Sequence, residues 1–208
     1  MRMVKLLWLA LGFLTIGCQT RGKNATILPI LGETTEHPIT GDTLYYKAPH
    51  FNLIDQEDKT ITQNSFAGKI QVVDFFFTSC PTICPQMTSH LKEVQEHFRD
   101  DGRVAIISYS IDTTTDTPQR LSRYAESNNI DPVKWSLLTG DGDAIFELSK
   151  GYKVMAFDDS SEETPNLVHD GTFVLLDHQR RIRGYYNGLD KKDTYRMIND
   201  MEKLLKTM

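Results

Sequence analysis

The sequence predicts an α/β fold of three layers, in which a central β-sheet is covered by helices on both faces. Three near-continuous apolar runs are typical of strands that are buried on both faces: Ile70–Phe77, Val104–Tyr109 and Thr172–Leu176. A fourth run, Ile182–Tyr186, follows the third after a short polar stretch, so these two are expected to form an antiparallel hairpin. Segments with helical periodicity lie between the first three runs and after the hairpin.

Each helix is predicted from the spacing of its apolar residues. The first is expected over residues 85–99, where four apolar residues share one face: Met87, Leu91, Val94 and Phe98. The second is expected to begin with Thr117 as N-cap and Pro118 at the first helical position. Apolar residues at similar spacing predict a third helix around Ile145–Leu148 and a last one over Tyr195–Leu205.

This order of elements predicts a thioredoxin-like sandwich. An additional N-terminal β-hairpin is predicted near Phe51–Ile61, before the first long strand. The folded domain is expected to span residues 44–208, about 165 residues, which is enough for one sizeable core.

The N-terminus predicts export from the cytoplasm. Positive Arg2 and Lys5 precede an apolar run of 11 residues, Leu6–Ile16, which is too short to span a membrane and is typical of a signal peptide over residues 1–17. Cys18 after Gly17 resembles the acylated cysteine of bacterial lipoproteins, although Thr15 stands where that motif usually has Leu. The alternative is a plain cleaved signal or an uncleaved short anchor in which Cys18 plays no part.

Residues 18–43 are predicted to form a lipidated tether, because they show no sustained period and contain several glycines and prolines. The domain would then be held on the extracytoplasmic side of a bacterial membrane by its lipid. The chain carries 23 Lys and Arg against 28 Asp and Glu, a net charge of −5, which disfavours nucleic acid as a partner.

The candidate chemistry is concentrated between Cys80 and Cys84, after the first long strand and before the first helix. Pro81 and Pro85 prevent a regular helix through both positions, so a tight turn is expected from Cys80 to Cys84. The helix N-terminus is expected to lower the pKa of both thiols. A turn of this length can bring the two sulfur atoms together to share a metal or to close a disulfide.

A metal site needs at least a third ligand, and the candidate is His169, just before the strand that begins at Thr172. Two thiolates with one imidazole suit Cu(I), or Cu(II) with further ligands, whereas zinc would want a fourth ligand. The other histidines are interpreted as solvated side chains: His37, His50, His90, His97 and His178.

Three motifs in the same order resemble the SCO/SenC copper-binding proteins of respiratory oxidase assembly, over about Pro49 to the C-terminus. They are Cys80-Pro-Thr-Ile-Cys84-Pro85, the segment Ser110–Pro118, and His169–Asp177 with the following Arg181–Tyr186. The segment Trp135–Gly140 is also similar. One departure is Thr113, where the family often has Pro, and another is the apparent lipid anchor, where many members have a membrane-spanning helix.

The resemblance implies a thioredoxin fold that binds one copper ion through Cys80, Cys84 and His169. It further implies a metallochaperone that delivers copper to the binuclear copper site of cytochrome c oxidase subunit II, or reduces the cysteines of that site. Other copper chaperones or thiol reductants are further partners that it suggests.

Two alternatives remain at this stage. The first is an extracytoplasmic thiol-disulfide oxidoreductase whose catalytic redox pair is Cys80 and Cys84, and the second is a purely structural disulfide between them. His169 discriminates between metal binding and redox chemistry, because only metal binding needs it. Asp112 and Asp116 are interpreted as turn and capping residues near the start of the second helix, and the acidic stretch 158–163 as a solvated loop.

Overall fold

A computed structural model describes residues 28–158 and 167–208. Four helices are present in these residues: α1 (Cys84–His97), α2 (Pro118–Asn128), α3 (Gly142–Tyr152) and α4 (Lys191–Leu205). Six strands precede α2: β1 (Thr34–Glu36), β2 (Thr43–Tyr45), β3 (Asn52–Asp55), β4 (Thr60–Thr62), β5 (Ile70–Phe76) and β6 (Val104–Ser110). Five follow it: β7 (Trp135–Thr139), β8 (Ala156–Asp158), β9 (Leu167–His169), β10 (Thr172–Leu176) and β11 (Ile182–Asn187). A short 3-10 helix, Gln63–Phe66, follows β4.

The main sheet has seven strands in the order β11-β10-β5-β6-β7-β3-β4. Strands β5, β6 and β7 are parallel, whereas β10 pairs antiparallel with β5, and β3 with β7. Successive side chains of β5 point to opposite faces of the sheet. Val72 packs into one apolar cluster with α1, α2 and α4, and Val73 packs into a second cluster with α3. The fold is therefore a thioredoxin-like sandwich of three layers, as the sequence predicted.

Local signals in the sequence account for most element boundaries. The strand runs, the β10–β11 hairpin and the additional hairpin formed by β3 and β4 all lie where they were predicted. Helix α2 begins as expected, because the Thr117 side chain accepts the backbone N–H of Arg120 and Pro118 follows it. Helix α1 begins at Cys84, one residue before the predicted start, and ends at His97.

The segment predicted as a tether is partly structured. Strands β1 and β2 form a small exposed hairpin, and Leu31 forms a bridge with Ile182 at the edge strand β11. The guanidinium of Arg183 donates to the backbone carbonyls of Pro29, at 2.8 Å, and of Leu28. Residues 28–31 therefore lie against the domain through contacts that a search for regular periodicity does not detect.

The predicted signal peptide, Cys18 and most of the acidic stretch 158–163 lie outside the described residues. Among residues 28–158 and 167–208, no helix combines the length and the apolar character that a membrane span requires.

Candidate metal centre

The two cysteines lie at the junction of β5 and α1. Strand β5 is buried throughout, and after it the chain forms an irregular loop that ends where α1 begins at Cys84. Both side chains are buried, Cys80 at 8% exposure and Cys84 at 1%, and both thiols are free. The chain bends at residues 81–83, between the two cysteines, and Pro85 lies in the first turn of the helix, so no regular helix runs through both prolines.

His169 lies beside the two cysteines, although it belongs to a distant part of the chain. It is the last residue of β9, where it pairs with Ala156 of β8, and two residues separate it from the start of β10. Its Nε2 lies 3.2 Å from Sγ of Cys84, and its ring and that of Phe77 are nearly perpendicular, with centroids 5.9 Å apart. The ligand atoms of Cys80, Cys84 and His169 all lie within 4.8 Å of one another.

The two thiols differ in acidity, which corrects one expectation from the sequence. Burial strongly raises the pKa of Cys84 above its usual value. Burial acts in the same direction on Cys80, but the backbone and side-chain hydrogen bonds that this sulfur accepts from Cys84 and Thr82 outweigh it and lower its pKa. The prediction that the helix N-terminus lowers both values is therefore wrong for Cys84, whose desolvation dominates.

Burial lowers the pKa of His169 to about 4, so the imidazole is neutral around pH 7 and keeps a lone pair for a metal. Together with the two sulfur atoms, this nitrogen forms a soft ligand set that favours copper or zinc over calcium or magnesium. The group is compact enough to surround a single ion.

The remaining histidines are not part of this group, but one of them was misinterpreted. His90 is buried at 7% exposure, and its Nδ1 donates to the carbonyl of Gly188 at 2.7 Å, so the prediction that it is solvated is wrong. His97 pairs with Glu202 on the surface, and His37 accepts backbone N–H groups in the β1–β2 turn. His50 is exposed and His178 is half-buried.

The backbone of Asp116 is part of the predicted turn, since its N–H donates to the carbonyl of Asp112 at 2.8 Å, but its side chain has another role. It is fully buried and accepts hydrogen bonds from Thr78 and Ser110, while Thr117 alone caps α2. Asp112 does act as a turn residue, since its carboxylate accepts the backbone N–H of Thr115 at 3.2 Å.

A second buried carboxyl, Asp74, was overlooked although the sequence holds a signal for it. It stands inside the apolar run of β5, where a charged residue is out of pattern, and its exposure is 2%. Burial raises its pKa to about 7, and the hydrogen bond from Ser108 only partly opposes this.

Fold and site together define a thioredoxin-like protein with a candidate metal centre of two cysteines and one histidine. The SCO1/SenC family matches this chain over residues 42–206, and the chain belongs to that family.

Relatives and solved structures agree with this membership. The SCO1 protein homolog of Bacillus subtilis is 29% identical over 164 residues, which cover 77% of this chain and 84% of the relative. The structure of a SCO1/SenC family lipoprotein from Bacillus anthracis is similar with a TM-score of 0.70 at 28% identity, covering 77% of this chain and 95% of that one. The structure of ScoI from Bradyrhizobium japonicum, solved with copper bound, is similar with a TM-score of 0.65 at 26% identity. The match covers 76% of this chain and 99% of that one.

Proposed function

We propose that this protein binds one copper ion through Cys80, Cys84 and His169 and supplies it to the binuclear copper site of cytochrome c oxidase subunit II. The observation that carries the proposal is the convergence of two sulfur atoms and one imidazole nitrogen within 4.8 Å. Further support comes from two similar structures. That of ScoI from Bradyrhizobium japonicum has copper bound. BsSco, whose structure is similar with a TM-score of 0.67 at 26% identity, is described as a member of the Sco family of cytochrome c oxidase assembly proteins.

The three candidate ligands differ in how firmly the fold holds them, and the two thiols among them differ in acidity. Cys84 and His169 are fixed by regular structure, the first at the start of α1 and the second at the end of β9, so they form a rigid pair of ligands. Cys80 lies in the loop and has the lower thiol pKa, so it presents the more available thiolate. Copper is the cargo here, and soft thiolate ligands favour its monovalent state.

Copper titration of the reduced, purified chain tests this proposal. The unmodified protein is expected to bind one equivalent, and His169→Ala is expected to lower the affinity by about 100-fold or more, since even residues behind the ligands contribute about 10–100-fold. His178→Ala, in the turn after β10, is the matched control and is expected to bind like the unmodified chain. An unchanged affinity of His169→Ala would overturn the assignment.

A thiol-disulfide reductase that works through Cys80 and Cys84 is the second candidate function. The free, buried thiols with opposite pKa shifts favour it, because such a pair has one attacking thiolate and one resolving thiol. This activity does not need the imidazole, so His169→Ala is expected to leave dithiol–disulfide cycling nearly unchanged. Loss of cycling together with copper binding would contradict that separation.

For localisation, we propose a signal peptide over residues 1–17 and an extracytoplasmic domain over 44–208, attached to a membrane by a lipid on Cys18. The similar Bacillus anthracis protein is described as a lipoprotein, which supports the proposal. Mass spectrometry of membrane-extracted protein is expected to find diacylglyceryl on Cys18. An unmodified Cys18 thiol would refute it.

A further inference from the structure

The carboxylate of Asp116 is fully buried and joins three segments of the chain. Its Oδ2 accepts the backbone N–H of Thr78 at 2.9 Å and the hydroxyl of Ser110 at 2.6 Å, and its Oδ1 accepts the hydroxyl of Thr78 at 2.5 Å. Arg120 lies 3.4 Å from Oδ1 and donates to the Thr78 hydroxyl at 2.7 Å. The carboxylate thus ties the start of the cysteine loop to the end of β6 and the first turn of α2.

Thr78 is two residues before Cys80, so its Cα lies no more than about 7.6 Å away along the chain. Beyond it the loop has few anchors. Ser79 is exposed and meets Asp112 only at 3.5 Å, and Pro81 and Thr82 are exposed. The backbone N–H of Cys80 donates to Phe77 at 3.3 Å, which is a contact within the loop itself.

The three candidate ligands therefore differ in how they are held. Cys84 is part of α1, and His169 is part of a strand pair, so regular backbone hydrogen bonds fix both. Cys80 has no regular backbone hydrogen bonds. Its sulfur accepts hydrogen bonds from Cys84 and Thr82 on the helix side, and on the strand side the chain that carries it is held at Thr78. Thr78 is in turn held by a buried charge, whose removal from water is costly unless it is fully hydrogen-bonded, as it is here.

We propose that Asp116 is a positioning residue for the metal centre: by holding Thr78 against β6 and α2, it sets Cys80 Sγ at a metal-binding distance from Cys84 and His169. This inference rests on the proposed copper site. Helix capping does not require Asp116, because the Thr117 side chain already accepts the Arg120 N–H. Asp116 touches neither the sulfur atoms nor the imidazole, so it acts only through Thr78.

Three variants of the full-length chain separate positioning from simple stabilisation. Asp116→Asn weakens both bonds to Thr78. Thr78→Val removes the loop-side hydroxyl, which donates to Asp116 and accepts from Arg120. Ser110→Ala removes the hydroxyl on the β6 side, which donates to Asp116 and accepts the Asp112 N–H. We expect Cu(I) affinity, measured by competition with a chromophoric chelator, to fall about tenfold or more in Asp116→Asn and about threefold or more in Thr78→Val. Ser110→Ala is expected to stay within about twofold, since the bonds to Thr78 remain.

A spectrum provides the readout that a merely structural role would not change. The thiolate-to-copper charge-transfer bands of the Cu(II)-loaded protein are expected to shift in Asp116→Asn and Thr78→Val and to stay constant in Ser110→Ala. Folded Asp116→Asn and Thr78→Val proteins with unmodified affinity and spectrum would overturn the proposal. So would a Ser110→Ala protein that loses as much affinity as Thr78→Val, because the effect would then follow stability alone.

If Asp116→Asn does not fold, the comparison of Thr78→Val with Ser110→Ala decides by the same criteria. His169→Ala separates this inference from the proposed function. Normal copper affinity in His169→Ala would refute the proposed copper site itself. Reduced copper affinity in His169→Ala, together with normal affinity in Asp116→Asn and Thr78→Val, would refute only the positioning role of Asp116.

Discussion

Sγ of Cys84 lies 3.2 Å from Nε2 of His169, although 85 positions separate the two residues in the chain. The topology of the sheet brings them together. Strand β10 runs antiparallel beside β5, with Leu176 opposite Gln71, so the beginning of β10 lies near the end of β5. His169 lies three positions before β10 begins, and Cys84 follows the loop after β5, so both lie at one edge of the sheet.

The first prediction concerns the order in which the two thiols react. The thiolate is the nucleophile in alkylation, and the pKa of Cys80 is lowered while burial raises that of Cys84. Cys80 is also the more accessible, at 8% exposure against 1%. Iodoacetamide at pH 7.5 is therefore expected to modify Cys80 about tenfold faster or more, as followed by mass spectrometry of the reduced protein.

The single variants Cys80→Ser and Cys84→Ser serve as controls for this rate difference. Cys84→Ser is expected to react as fast as the unmodified chain, and Cys80→Ser is expected to react slowly. Equal rates for the two thiols, or faster modification of Cys84, would contradict the assignment of Cys80 as the more accessible and more acidic thiol.

The parts of the fold that the sequence predicts are those with a local cause. Strands β5, β6 and β10 are buried on both faces and therefore appear as continuous apolar runs. The cysteine pair with its prolines is likewise a local pattern. The place of His169 just before β10 makes it a candidate ligand, and the family resemblance strengthens that prediction, since the sequence alone does not reveal which strand lies beside β5.

Features that depend on contacts between distant residues could not be predicted from the sequence. Asp116 precedes Thr-Pro and so looks like a turn residue, but the Thr78 that it binds is 38 positions away. His90 lies off the apolar stripe of α1, yet the loop after β11 covers it. Strand β7 is only five residues long and includes Ser136 and Thr139, so its burial comes from the neighbours that flank it.

The second prediction tests the buried role of His90. Its Nδ1–H donates to the Gly188 carbonyl, and the Gly188 N–H donates to Gly171, two residues after His169. His90→Ala leaves that carbonyl without its partner, so we expect the free energy of unfolding to fall by about 1–3 kcal/mol.

His97→Ala on the same helix is the matched control, because its pair with Glu202 is exposed and is expected to contribute less than about 1 kcal/mol. Urea unfolding of both variants measures the difference. Equal losses would mean that His90 contributes no more than a surface side chain.

The third prediction concerns residues 28–31, which lie against the domain. The Arg183 guanidinium is nearly buried and donates to Leu28, Pro29 and Asp177 together. A lysine ammonium cannot reproduce this planar fork, so Arg183→Lys is expected to lower stability by about 1–3 kcal/mol and to release this segment.

Hydrogen exchange reports the release directly, because the Leu31 N–H donates to the Ile182 carbonyl. This amide is expected to exchange faster in Arg183→Lys, while exposed Arg123→Lys on α2 serves as the control. Unchanged protection of the Leu31 amide in Arg183→Lys would show that the guanidinium does not hold the segment.

The last prediction follows from the buried carboxyl of Asp74. Burial raises its pKa to about 7, against a usual value near 4 in an unfolded chain, so between these pH values the folded state holds the extra proton. The stability that this proton supplies is complete below about pH 4 and is lost as the pH rises through 7. Asp74→Asn keeps an oxygen that can accept from Ser108 but cannot ionise, so its stability is expected to lack this decline. At pH 8 it is expected to exceed the unmodified chain by a margin on the order of a few kcal/mol, and at pH 4 to match it.

Urea unfolding from pH 4 to pH 8, in the presence of a reductant and a chelator, measures this difference without a contribution from bound metal. Glu126→Gln, an exposed acid on α2, is the control and is expected to follow the unmodified chain at every pH. Parallel curves for Asp74→Asn and the unmodified chain would mean that Asp74 is ionised in the folded protein across this range.

The Asp74 charge also raises the pKa of Cys84, so its removal is expected to make that thiol more acidic. Alkylation of Cys80→Ser with and without Asp74→Asn can detect this change.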